Sequence, residues 1–287
     1  MWRNYTQAKL DAQYDQKTLV SDEEHARHRE YKVAESMRVR AKLAASAILD
    51  LAYGMSAAEK LDIFKAPSKG APTQVFIHGG AWKNGKKEDA SYPAESFVAR
   101  GANYIAVNFE LVPNVTLDEQ VRQTRAAVAW VYKHARDFGA DPDRIYVSGH
   151  SSGGHLAGMI VTTNWQEAFG LPVDTVKGVT AVSGLFELEP VKLSWRNSYL
   201  NLDDAAVARL SPIRHIPNHP LPLVIGYGGG ELDEFKRQSR EFAATWRARG
   251  HPCVEIELPQ LTHYAGNYEF NNPQSPLLAA IFAQMAL

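Results

Sequence analysis

The sequence predicts an α/β fold, with a mostly parallel central sheet and helices on both faces. Three observations carry this. From residue 59 onward, short β-type runs alternate with longer helical ones. The middle runs, such as NYIAVNF and RIYVSG, are apolar on both faces, as strands buried between helix layers must be. Over 287 residues, 45% hydrophobic content suffices for a full core, and no internal repeat divides the chain, so one domain over residues 1–287 is expected.

Residues 6–50 are rich in Ala, Arg, Glu and Gln with scattered apolar positions, so an N-terminal helical, partly solvated segment is expected over 1–50. His25 and His28 lie three apart there, without other ligands at metal-binding spacing, and read as solvent-exposed. Strands are expected at 61–66, 74–79, 103–109, 144–149, 176–182, 221–227 and 253–258. Helices are expected near 90–100, 117–138, 152–164, 236–249 and 276–286. Residues 184–218, with Pro190, Trp195, Tyr199, a short acidic helix near 203–209 and Ser211-Pro212, are too irregular for a simple crossover. They read either as a small cap over the carboxyl ends of the strands or as a surface insertion.

Charge and composition exclude several function classes. Lys plus Arg (31) nearly balance Asp plus Glu (32), so no overall field draws the chain to nucleic acid or an anionic membrane. No apolar run approaches a membrane span, and the first twenty residues lack the apolar core of a secretory signal. The lone cysteine, Cys253, rules out an internal disulfide and suits a reducing compartment, so a cytoplasmic protein is expected. On that reading the sequons at Asn4 and Asn114 are chance matches. The expected partner is a small molecule, and no metal or organic cofactor is expected.

The stretch QVFIHGGAWKNGKKE (74–88) admits two readings. Its spacing nearly completes a phosphate loop after an apolar strand, but Lys87 stands where such a loop needs Ser or Thr for Mg²⁺, and the bulky Trp82 lies inside the wrap. Its chemistry is that of an HGG loop that lends backbone amides to an oxyanion. Residues 83–88 read as a lysine-rich solvated turn.

The strongest signal is RIYVSGHSSGGHLAGM (144–159), where Gly149-His150-Ser151-Ser152-Gly153 fits G-x-S-x-G between an apolar strand and a small-residue helix. That context marks a nucleophile elbow centred on Ser151. His150 and His155 flank the turn and read as packing or hydrogen-bonding residues. A serine hydroxyl needs a base, and the base needs a carboxylate. After the strand at 221–227 come Glu231, Asp233 and Glu234; after the last strand comes His263. His263 is the expected base, because His215, His219 and His251 precede strands and fall at the other end of the sheet. Glu231 is the expected acid, with Asp233 as the alternative or as a helix cap. The amides of Gly80, Ala81 and Ser152 are then the expected oxyanion donors.

HGGAW (78–82), FGADPDRIYVSGHSSGGHLA (138–157), ELDEFKRQSREF (231–242) and THY (262–264) together resemble the kynurenine formamidase (arylformamidase) branch of the α/β-hydrolases, related to the hormone-sensitive-lipase-like esterases. YTQAKLDAQYD near the start and LAYG (51–54) extend the resemblance over nearly the whole chain. It implies an α/β-hydrolase fold with Ser151 as nucleophile, His263 as base and Glu231, four residues before Phe235, as acid. Two positions depart from the family pattern: Ser152 stands where Ala is commoner, and Glu231 where Asp is. The resemblance implies hydrolysis of a small ester or aryl formamide, and related enzymes often form homodimers. His78, Gly79, Trp82, His150, Trp195 and Tyr264 are the expected substrate-binding residues, and Trp82, Phe186, Trp195 and Tyr199 an apolar wall.

Overall fold

The computed structural model describes residues 2–287. Eight strands form one sheet: β1 (Ala47–Ala52), β2 (Lys60–Phe64), β3 (Ala71–Ile77), β4 (Asn103–Val107), β5 (Ala140–His150), β6 (Gly178–Val182), β7 (Leu223–Gly228) and β8 (Cys253–Leu258). Their order is β1-β2-β4-β3-β5-β6-β7-β8. The first two pairings are antiparallel and the remainder parallel, so β3 to β8 all deliver their carboxyl ends to one rim. This is the α/β-hydrolase fold.

The helices are α1 (Gln7–Ala12), α2 (Asp22–Lys42), α3 (Ala94–Ala99), α4 (Leu117–His134), α5 (Ser152–Val161), α6 (Trp165–Phe169), α7 (Glu189–Leu193), α8 (Asn197–Leu200), α9 (Asp204–Leu210), α10 (Asp233–Ala248) and α11 (Pro276–Gln284). On one face of the sheet, side chains of α4, α5 and α10 such as Val128, Leu156 and Phe242 build the larger core. On the other face, Val39 of α2, Phe97 of α3 and Ile281 of α11 build the smaller. Burial on both faces explains why β3 and β4 carry no exposed position at all.

Two expectations are corrected here. Residues 47–50, expected to end the N-terminal helical segment, instead open edge strand β1. AILDLA has the Ala and Leu content of a helix, but pairing with β2 overrides that propensity, and the backbone N–H of Asp50 is held by the Asp62 carboxylate at 2.8 Å. The turn at 83–88, expected to be solvated, instead buries Lys87. Its ammonium meets Asp50 at 2.7 Å, Asp62 at 3.0 Å and Glu88 at 2.7 Å, while Arg40 of α2 reaches Asp62 at 2.6 Å. Removing a charge from water is tolerated only with such compensation, and this cluster ties α2 to the β1–β2 edge.

Residues 184–218 fold into α7, α8 and α9 and pack on the amino-terminal segment. Gln7 donates to the Leu193 carbonyl at 2.9 Å, and the Trp195 amide donates to Asp11 at 2.7 Å.

Buried histidines brace the face beneath the rim. His155 of α5 accepts from the Trp82 indole N–H through Nδ1 at 3.1 Å and donates from Nε2 to the Leu210 carbonyl at 2.8 Å, so both nitrogens are used by a neutral ring. Burial pushes its pKa down to about 4, and burial does the same to His78, whose ring stacks on Phe109 at 4.4 Å. Between these values and the unfolded value of about 6.5, the unfolded chain takes up protons that the folded one refuses. Stability is therefore whole above pH 6.5 and lost as pH falls toward 4. The melting temperature is expected to hold from pH 8 to about 6.5 and then drop, each ring withdrawing up to about 1.4 kcal/mol per pH unit. A melting temperature unchanged between pH 7 and 4.5 would refute neutral burial of these rings.

Candidate active site

The turn between β5 and α5 is made by Ser151 at φ 59° and ψ −124°, a strained conformation for a residue with a side chain. Its amide donates to the Val182 carbonyl of β6 at 2.9 Å. The flanking glycines are required by contact. A Cβ on Gly149 would lie 2.2 Å from the Gly153 carbonyl oxygen, and one on Gly153 would lie 2.1 Å from that of Ile77. The packing turns the Ser151 side chain out of the strand–helix junction and into a cavity of about 390 Å³.

Three residues from three carboxyl-terminal loops meet there. His263 Nε2 lies 2.8 Å from Ser151 Oγ, and His263 Nδ1 lies 2.8 Å from Glu231 Oε2. The other Glu231 oxygen accepts from the Gly228 amide at 2.7 Å and from the Ser183 hydroxyl. With its side chain fully buried and three donors around it, the carboxylate is compensated, and it fixes the tautomer of the imidazole. Gly228 makes room for this: a Cβ there would strike the Leu261 carbonyl oxygen at 2.1 Å. Asp233, the alternative acid, is 74% exposed in the first turn of α10 and pairs with Lys236 at 3.1 Å. It does not reach the imidazole, nor does it cap the helix, whose N-cap position is Leu232.

The HGG loop abuts the same point. A Cβ on Gly79 would lie 3.1 Å from the Ser151 Cβ. Gly80 has φ 133°, followed by Ala81 and Trp82 at positive φ, so the chain folds back on itself. The Trp82 carbonyl accepts from the Val112 amide at 3.0 Å and from Gln120 Nε2 at 2.6 Å, which holds the loop open toward the cavity. The amides of Gly80 and Ala81 donate to no acceptor among the described residues, and Ser152, the first residue of α5, offers a free helix-start amide beside them.

The expected substrate-binding residues divide. His78, Gly79, His150 and Tyr264 line the cavity. His150 is buried 4.8 Å from the His263 ring, and burial, with the His263 charge second, holds its pKa well below the usual histidine range. Trp82 and Trp195 do not line it. Trp82 is buried in the larger core, where its indole is spent on His155, and Phe186 is buried there against Phe242. Trp195 is 39% exposed outside the cavity, and with Tyr199 it flanks the Lys83 ammonium. The expected apolar wall of Trp82, Phe186, Trp195 and Tyr199 is therefore absent from the cavity: the fold-back at 80–82 turns Trp82 into the core, and the path of 184–218 directs the other three rings into the core or onto the surface.

The cavity is instead covered by α2, which contributes His25, His28, Arg29, Lys32 and Val33, while 184–218 contributes Arg196 alone. His25 and His28, expected to be solvent-exposed, are partly buried. His25 stacks on Tyr264 at 4.4 Å, and His28 bonds to the Tyr268 hydroxyl. Sequence reasoning also passed over Ser183, the second side-chain partner of Glu231; a serine at the end of β6 facing a carboxylate loop was the available signal. For Gln16, Lys32 and Arg196, no local pattern distinguishes cavity-lining residues from surface ones.

The family described as BD-FAE matches residues 61–244, well over half of the chain. A kynurenine formamidase of Salmo salar is 30% identical over 233 residues, covering 78% of this chain and 77% of that one. One of Danio rerio is 25% identical over 275 residues, covering 92% and 91%. Among solved structures, a candidate thioesterase of Silicibacter sp. TM1040 superposes with a TM-score of 0.83 at 25% identity, over 95% of this chain and 98% of that one. No helix among the described residues is long and apolar enough to cross a membrane. The chain belongs to the BD-FAE family and, within the α/β-hydrolase fold, to the kynurenine formamidase branch related to the esterases.

Proposed function

We propose that the protein is a serine hydrolase that cleaves a small carboxylic ester or an aryl formamide, such as N-formylkynurenine, through an acyl-enzyme on Ser151. The observation that carries this is the unbroken relay from hydroxyl to imidazole to carboxylate, with 2.8 Å at each link, at the wall of a cavity. The kynurenine formamidases among its relatives support the choice of acyl group.

In this mechanism Ser151 Oγ attacks the acyl carbon while His263 Nε2 takes its proton, and Glu231 stabilises the resulting imidazolium. The oxyanion is held by the amides of Gly80, Ala81 and Ser152, each such donor being worth about 3 kcal/mol. His263 returns the proton to the departing alcohol or arylamine. Water, deprotonated by the same imidazole, then attacks the acyl-enzyme, and the carboxylic acid or formate leaves as Ser151 is restored. No step needs a metal or an organic cofactor. A homodimer is compatible with this chemistry, since all three groups come from one chain.

Ser151→Ala is expected to lower kcat on an aryl acetate on the order of a thousandfold or more, with folding intact by circular dichroism. Near-normal turnover by that protein would end the proposal. Glu231→Gln, which withdraws the imidazolium partner, is expected to lower kcat by on the order of 10³ to 10⁴, whereas Asp233→Asn should stay within about twofold; the reverse ranking would move the acid. The leaving group is decided by comparing kcat/KM for N-formylkynurenine with that for p-nitrophenyl acetate and butyrate. The formamide reading requires the first to be highest, and a preference for both esters assigns a carboxylesterase.

A further inference from the structure

The cavity beside Ser151 is lined by cations that make no ion pair, and the nearest negative charge to Lys32 is Asp89 on the same wall. Arg196 is 7% exposed, and its only side-chain hydrogen bond runs from Nε to the Tyr14 carbonyl at 2.9 Å. No carboxylate lies within ion-pair distance of Arg196, Arg29 or Lys32 among the described residues. Two other cations withdrawn from solvent are matched by carboxylates, Lys87 by three and Arg237 by Glu187, Glu234 and Glu241, while Arg125 is held by two neutral acceptors, the Thr163 hydroxyl and the Met159 carbonyl. The one acid lining the cavity is Asp89, and it sits 3.8 Å from Lys86. Arg196 thus has one carbonyl and, at 5.7 Å, the Trp195 ring for partners but no carboxylate, and a buried guanidinium is unfavourable without one unless something anionic visits it.

A second, independent observation lies at the same place. Gln16 is 5% exposed, lines the cavity, and has neither Nε2 nor Oε1 hydrogen-bonded. Buried amides of this kind are nearly always satisfied, so an orphaned pair on a residue of the cavity wall points to a partner that the chain itself does not supply. The neighbouring ring reports the same field: burial, and then the charges of Arg29 and Lys32, hold His25 below its ordinary pKa.

We propose that Arg196, Gln16 and Lys32 form an anion subsite that seats a carboxylate of the substrate while Ser151 attacks its acyl bond. The inference rests on the hydrolase reading but holds whichever bond is cut, ester or formamide. Arg196 accounts for direction, because its planar fork accepts a carboxylate in two parallel bonds. Gln16 adds a neutral donor, and Lys32, across the cavity on α2, adds charge. These residues come from three segments that meet only in the folded chain: the turn after α1, α2, and the start of α8.

The subsite is tested by binding, apart from turnover. In the Ser151→Ala protein, titration calorimetry with 3-phenylpropanoate and with its uncharged amide should give at least tenfold tighter binding of the carboxylate at low salt, weakening as salt is added. Arg196→Gln should remove most of that preference and Arg196→Lys less of it, since the charge stays. Should Arg196→Gln fail to fold because the bond to Tyr14 is lost, Lys32→Gln, partly exposed on α2, carries the same test with a loss of about fivefold or more. In the Ser151 protein, the ratio of kcat/KM for 4-acetoxybenzoate over 4-methylphenyl acetate should fall by a similar factor in each variant, through KM. A carboxylate that binds no tighter than the amide, absence of binding included, or folded variants with an unchanged preference, overturn the subsite. Neither result bears on Ser151, which its own kinetics decide.

Discussion

The arrangement depends on one steric constraint: the first turn of α5 is pressed so closely against the ends of β3 and β5 that only glycine fits on either side of Ser151. The Gly153 Cα faces the Ile77 carbonyl, and the Gly149 Cα faces the Gly153 carbonyl. Between them the serine is driven to φ 59° and anchored by its amide to β6. A strained conformation of this kind costs on the order of 1–3 kcal/mol and survives only because packing over-determines it. The same closeness puts the HGG loop against the serine, since β3 ends directly into His78. The outward serine, the free amides and the helix start are thus consequences of one contact.

That contact was legible in the sequence, because it is written in residue types at fixed spacing: glycines at 149 and 153, small residues after them, an apolar strand before. Strands β2 to β7 were legible for a related reason, as runs buried on both faces leave few other readings, and edge strand β8 by its β-type run CVEIEL. Ser151, Glu231 and His263 could be brought together from strand order alone, since each follows the carboxyl end of a parallel strand. Tertiary docking was not legible. AILDLA at 47–52 carries helical composition and becomes a strand only because β2 offers it an edge. Lys87 looks solvated beside Lys83 and Lys86 until Asp50 and Asp62, remote in sequence, surround it. Trp82 looks like a ligand contact because it follows the glycines, yet the fold-back at 80–82 turns its ring inward to His155.

The same limit explains the cover over the cavity. Hydropathy identifies α2 as a polar surface helix, and a polar helix can sit anywhere on a surface. Here the Lys87 and Arg40 cluster fixes its carboxyl half against the sheet edge, so its amino half projects over the rim. The face presented to the cavity is therefore cationic and histidine-bearing, not the aromatic wall that the composition of 184–218 suggested. A polar cover is a poor fit for a long acyl chain and a good fit for a small polar substrate.

Such a cover also bears on the proposed chemistry in two opposing ways. Cations near Ser151 stabilise the oxyanion that develops during attack, and they oppose the imidazolium that must form on His263 at the same moment. Two features keep the second effect in check. His150, 4.8 Å from the His263 ring, and His78, at the start of the HGG loop, are held neutral by burial, so they add no further positive charge. Glu231 is fully buried with its lone pairs directed by Gly228, Ser183 and His263, which places a full negative charge 2.8 Å from the imidazole in a medium that screens it poorly. The carboxylate outweighs cations lying farther off, and a substrate anion seated between Arg196 and Lys32 would neutralise those cations as it binds, so that the field opposing the imidazolium weakens only when substrate is present.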